Sequence, residues 1–245
     1  MTARVALIGT AQPGEPAGTL PGWVVPGGLI ALSLVPALAG TVRLAQLAGH
    51  PVVTAENARF IAAPIPVVMH IIAVMIYSLG GAFQFAPEFR RRRRQWHRRL
   101  GKMLVPAGYL AALSGLWMTQ FYPWPTGDGA GVYVERLIAG TAMIAALTAG
   151  AVAIVRRHFT AHGAWMIRAY AIGLGAGTQV LTHLPWFLLS SERPGEQART
   201  IMMGAGWVIN VAVGEWAIAR GQRSETRDQR TENRDQRAEI RELKE

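Results

Sequence analysis

Two histidines set inside apolar stretches are the residues of this chain most able to do chemistry. His70 stands in the uncharged run Ile61–Pro87, and His183 in the apolar run Ala169–Leu189. Ionisable groups are costly to keep inside a bilayer and tend to mark function there. At ~1.5 Å per residue, His70 lies about 12 Å below Ala62 and His183 about 9 Å from Leu189. Matching depth on two helices predicts a pair of neutral imidazoles, able to ligate a haem iron, hold a metal such as copper or zinc, or pass protons. Their helical faces carry small or hydrogen-bonding residues: Tyr77, Gly81 and Gln84 beside His70, and Gln179, Ala176 and Gly175 beside His183.

A second set lies at the other end of the spans. His97 precedes an apolar run, and His158 and His162 lie between two others, the latter followed by Trp165, Met166 and Arg168. Histidines at both ends of a bundle would suit two stacked b-type haems, with His70, His97, His162 and His183 as axial ligands. Tyr77, Gln84 and Gln179 would be their hydrogen-bonding neighbours. Arg98 and Arg168 would face haem propionates, where a guanidinium offsets the cost of a carboxylate near hydrocarbon. The plainer reading is that these histidines hydrogen-bond between helices, in a transporter or an assembly partner. Glu215, close to Arg220, reads first as an interfacial ion pair with Arg168 or Arg156. The chain has no His-Glu-x-x-His, no Ser/His/Asp spacing, no phosphate-cradling loop and no paired intramembrane carboxylates. Hydrolase, kinase and pump readings therefore have no residues to rest on.

The elements that must position these groups are transmembrane helices. The chain is 51% hydrophobic and 16% charged, with a mean hydropathy of +0.20, against about 25% charged residues in soluble domains. The absence of cysteine excludes disulfides, thiolate metal sites and cysteine-held clusters. The segment Arg90–Lys102 holds eight cationic residues between two spans, Arg90 to Arg94, Arg98, Arg99 and Lys102. The net charge of +10 is concentrated there; beside apolar spans it indicates orientation and contact with anionic lipid head groups, not nucleic acid.

The fold class expected is all-α and polytopic. Spans fall near Trp23–Leu47, Ala62–Phe85, Met103–Tyr122, Leu137–Val155, Ala169–Leu189 and Ile201–Ala219, a bundle of about six helices. With the arginine-rich segment in the cytoplasm, both termini are cytoplasmic. Residues 1–21 are a loose lead, not a cleaved signal; residues 22–219 form the transmembrane domain; residues 220–245 form a charged tail. The Gly173, Gly175, Gly177 series, inside an apolar span, predicts close helix packing, and Trp207 is expected to pack between helices. The tail repeats Arg-x-Gln-Arg-x-Glu-x every seven residues, with like charges at i,i+4. A partly disordered extension is the first expectation, and a charged helix on anionic lipid or on a protein partner the other.

His70, Gly81, Gln84-Phe85, Arg90–Arg94, His97-Arg98, Gly101, then His162, Trp165, Met166, Arg168 and Ala169-Tyr170-Ala171 form a recognisable series. On these residues the chain resembles a family of predicted bacterial membrane proteins, Domain of Unknown Function 2306. The likeness runs from about Ile61 to Tyr170; Gly163-Ala164 stands where more basic residues are expected. It implies a multi-pass protein of a bacterial cytoplasmic membrane and draws attention to His70, His97 and His162. His183 lies outside it.

Overall fold

The structure is a computed structural model that describes residues 22–49, 51–86, 89 and 92–242; for 225, 228, 232, 235 and 237–242 it describes the backbone alone. The expected N-terminal lead, Arg90 and Arg91 lie outside the described residues. The elements are α1 (Val24–Ala48), α2 (Ala58–Ala62), α3 (Pro64–Ala82) with a 3-10 turn at Phe83–Phe85, α4 (Arg94–Phe121), α5 (Ala130–Val155), α6 (Phe159–Gly173), α7 (Gly175–Leu189) and α8 (Glu196–Glu242). The described residues include no strand. Among the described residues, four helical segments are long and apolar enough to cross a membrane: Val24–Ala48, Pro64–Phe85, Ala130–Val155 and Glu196–Thr231.

Local chemistry explains several boundaries that periodicity misplaces. A single span was expected from Ala62, but Pro64 restricts the residue before it and starts a new helix as its first residue. The Tyr122 hydroxyl donates to the Ala63 carbonyl at 2.5 Å and holds that corner. The arginine-rich segment was expected to be a loop as far as Lys102, yet α4 begins at Arg94. His97, Arg98, Arg99 and Lys102 are therefore helical and share one rod with the apolar stretch. The span expected from Ala169 begins ten residues earlier, at Phe159, and is interrupted at Leu174. The backbone of the tail continues α8 as a helix to Glu242.

Short connections make successive long helices antiparallel, so the loops collect at two ends. At one end the α1–α3, α4–α5 and α7–α8 connections meet: Arg59 donates to the Pro123 carbonyl at 3.4 Å, and Arg199 pairs with Asp128. The arginine-rich segment and the tail lie at the other end. Helix α3 packs on α4, α4 on α5 and α5 on α6; α1 lies against α3 and α7, and α8 against α5, α6 and α7. The core is formed by Tyr77, Leu104, Met143, Leu147 and Tyr170. Outward faces carry exposed Leu38, Ile65, Leu113, Ile138, Leu189 and Val208. Apolar side chains on both the inner and the outer face of helices are what a lipid solvent permits.

Candidate functional site

His70 is held from α4. Its Nδ1 lies 2.9 Å from the Ala111 carbonyl oxygen and 3.1 Å from Ser114 Oγ. A carbonyl can only accept, so Nδ1 carries the proton and Nε2 keeps its lone pair. Ser114 donates its own hydroxyl proton to Leu110 O at 2.5 Å, which leaves its oxygen able to accept from the ring. Gly115 supplies the room, since a Cβ there would stand 3.2 Å from His70 Cε1. On its other side the histidine lines a cavity of about 140 Å³, walled by α1, α3 and the α6–α7 junction, with Ser33 and Ser78 among its polar residues.

The α6–α7 junction at Leu174 is shaped by the glycine series. An added Cβ would meet Tyr77 at Gly173 (2.8 Å), Trp207 at Gly175 (2.2 Å) and the Leu32 carbonyl oxygen at Gly177 (2.3 Å). Three successive glycines thus admit three different helices, α3, α8 and α1, and the expectation of close packing holds, as does that for Trp207. Asn210 of α8 spans the junction. Its amide donates to Ala171 O at 3.1 Å, and its carbonyl oxygen accepts from the Thr178 hydroxyl at 2.6 Å. Backbone groups released by an interrupted helix need such partners in the membrane.

His183 is buried, 8% exposed. Its Nδ1 bonds the Gln179 carbonyl of its own helix at 2.7 Å, and its ring stacks on Phe187. It does not line the cavity beside His70. Gln179 serves it through the backbone, while the Gln179 side chain donates to Met203 O at 3.2 Å. Tyr77 sits in the core between Gly108, Gly173 and Tyr170.

At the arginine-rich end, His162 Nδ1 lies 2.9 Å from the Gly150 carbonyl oxygen. Trp165 and Met166 close over the same glycine, where a Cβ would meet Met166 Cε at 2.1 Å. Arg168 stacks on Trp165, 4.7 Å from the ring centroid, and grips Glu215 with two parallel bonds of 2.6 and 2.9 Å. The ion pair expected for Glu215 is therefore made with Arg168, and the guanidinium assigned to a propionate is engaged by a carboxylate of α8. The half-buried His97 lies in the first turn of α4, where its carbonyl oxygen accepts from Gln84 Nε2 at 3.4 Å; Arg98 is exposed beside it. The His-x-x-Trp-Met-x-Arg run is thus one continuous clamp joining α6 to α5 and α8.

Reasoning from the sequence missed Asn210, Ser114 and the buried Asp128. Asp128 sits in a Thr-Gly-Asp-Gly turn that reads as an ordinary loop, and its partners Arg136 and Arg199 are distant in the chain or on another helix. Among the described residues no three His, Asp or Glu side chains gather as a metal centre would require. No curated protein and no solved structure matches the chain. Residues 67–218, well over half of it, match a family of predicted membrane proteins. That stretch contains His70, the arginine-rich segment, the α6 clamp and Asn210, and the chain belongs to this family, DUF2306.

Proposed function

We propose that this is a six-span protein of a bacterial cytoplasmic membrane, with both termini and the arginine-rich end in the cytoplasm, that binds b-type haem and carries electrons. The helical rods α4 and α6–α7 supply two spans beyond the four most apolar segments. Their cationic starts at Arg94–Lys102 and Arg156–Arg168 lie at one end, as positive-inside orientation requires.

The observation that carries the haem reading is the state of the imidazoles. His70, His162 and His183 each bond a backbone carbonyl through Nδ1. That arrangement orients a ligating histidine and leaves Nε2 as the donor to a metal. Haem, when bound, would supply one-electron redox chemistry. The chain's own part is to hold each ring, to keep water from the cavity, and to offer Arg98 for a propionate while Arg168 is engaged by Glu215.

A second reading has a specific observation in its favour. The same bonds join α3 to α4 through His70 and α5 to α6 through His162, which a transporter or assembly partner would need with no cofactor. The visible spectrum of protein purified after expression with ample haem, before and after dithionite, separates the two. A reduced-minus-oxidised α-band supports electron transfer; a colourless sample leaves the helix-holding role.

A further inference from the structure

Four arginines from four elements gather at the end opposite the arginine-rich segment: Arg43 of α1, Arg59 of α2, Arg136 of α5 and Arg199 of α8. Arg136, Arg199 and Arg59 lie around Asp128, whose side chain is only 2% exposed, and Arg43 stands beside Arg59. Both oxygens of that carboxylate are taken, Oδ2 by Arg136 at 2.6 Å and Oδ1 by Arg199. Arg43 and Arg59 make no ion pair among the described residues. Four other carboxylates belong to this end: Glu56 and Glu192 are exposed in the α1–α2 and α7–α8 connections, Glu196 lies over Gly129 and Glu135 over Gly204, and among the described residues none pairs with Arg43 or Arg59.

The two spare guanidiniums are nevertheless held in place. Both stack on Phe60, at 4.8 Å for Arg43 and 4.6 Å for Arg59. Phe60 is itself set edge-on to Tyr122, whose hydroxyl is anchored on Ala63 O. Burial pushes Arg59 below its ordinary range; Asp128 opposes this, while Arg136, Arg43 and Arg199 add to it. Half-buried, mutually repelling cations need an anion. Orientation gives no reason for them, because short loops on the outer side are normally poor in arginine.

We propose that Arg43 and Arg59, mounted on Phe60, form a phosphate-binding clamp that takes a phosphate group from an anionic lipid or from solution. Guanidinium forks match phosphate oxygens and bind them with charge-assisted hydrogen bonds. Nothing in this depends on haem.

Native mass spectrometry of the full chain, released from detergent with equal phosphatidylglycerol and phosphatidylcholine, tests the lipid source. Thermal unfolding in phosphate-free buffer, with and without inorganic phosphate, tests the soluble one. Retention of phosphatidylglycerol over phosphatidylcholine, falling about fivefold in Arg43→Gln and again in Arg59→Gln, assigns the clamp to a lipid head group. Stabilisation by inorganic phosphate that disappears in the same variants assigns it to a soluble anion. Phe60→Leu, which keeps both charges but removes their platform, is expected to weaken either effect, and Arg193→Gln, exposed at the same end, to change neither. The proposal is overturned if wild type prefers neither phosphate species, or if Arg43→Gln and Arg59→Gln retain the wild-type preference.

Discussion

Gly177 of α7 lies against the carbonyl oxygen of Leu32 in α1, so closely that a Cβ would stand 2.3 Å from it. Four residues beyond Leu32 is Pro36, inside the same helix and with no N–H to offer that oxygen. A proline in one helix and a glycine in another thus make a single contact: one strips a carbonyl of its donor, and the other brings Cα–H groups to it.

Gly177→Ala should therefore destabilise the protein by about 1–3 kcal/mol, the usual cost of overpacking. The atom in the way is backbone and cannot swing aside. Gly163→Ala, with nothing within 4 Å of its added Cβ, is expected to leave stability unchanged or raise it by up to about 1 kcal/mol. Thermal unfolding in one detergent compares the pair; equal melting temperatures for Gly177→Ala and wild type would refute the contact.

Asn210→Ala removes both bonds across the α6–α7 junction. Polar contacts between membrane helices contribute about 0.6–2 kcal/mol, and a loss of that size is expected here. The distinguishing readout is hydrogen exchange: amides of Gly175–Thr178 should exchange faster while those in the middle of α5 do not. Unchanged exchange at the junction would mean that its backbone is satisfied without Asn210.

Topology can be read from the cysteine-free chain by single substitutions at exposed sites. Thr126→Cys in the α4–α5 loop and Arg92→Cys before α4 should label from opposite sides of the membrane. Labelling from the same side would break the six-span proposal. Asp128 is unsuitable as a reporter because it is buried in its ion pairs.

If haem is present, His97→Ala and His162→Ala should remove the most, His70→Ala an intermediate amount and His183→Ala the least. The first two lie at the arginine-rich end, where Arg98 is exposed, and His183 is satisfied within its own helix. Pyridine haemochrome measurement on equal amounts of folded protein provides the comparison. Equal content in all four variants would show that none is a ligand, and loss confined to His183→Ala would invert the order.

Much of the architecture was legible because it follows from local composition. Apolar runs long enough for a bilayer, separated by charged or Gly/Pro-rich connections, mark the rods. Gly173, Gly175 and Gly177 in an apolar stretch announced close helix approach, and Glu215 near the end of its apolar run announced an arginine partner. Boundaries were harder. Arginines are good helix formers, so α4 could start at Arg94 although charge suggested a loop. The junction at Leu174 has no proline to announce it; Gly173 and Gly175 on either side weaken the helix there, and the three neighbouring helices that these two and Gly177 admit shape the chain.

The candidate site divides in the same way. Residue type and spacing singled out His70 and His183 within apolar stretches and His97 and His162 at the ends of spans, since an imidazole in or beside hydrocarbon is conspicuous. Which carbonyl each ring meets depends on helix rotation and on distant partners: Ala111 for His70, Gly150 for His162, but only Gln179 of its own turn for His183. The gathering of Arg59, Arg136 and Arg199 around one buried aspartate, with Arg43 beside Arg59, depends likewise on how α1, α2, α5 and α8 meet. By itself the sequence determined which segments are apolar, which end carries the densest positive charge and which histidines lie within the apolar runs, because transfer free energy is a property of each residue and its near neighbours. Only the tertiary structure decided the partners, because hydrogen bonds and ion pairs require atoms within about 3 Å, and that proximity is created by packing between helices far apart in the chain.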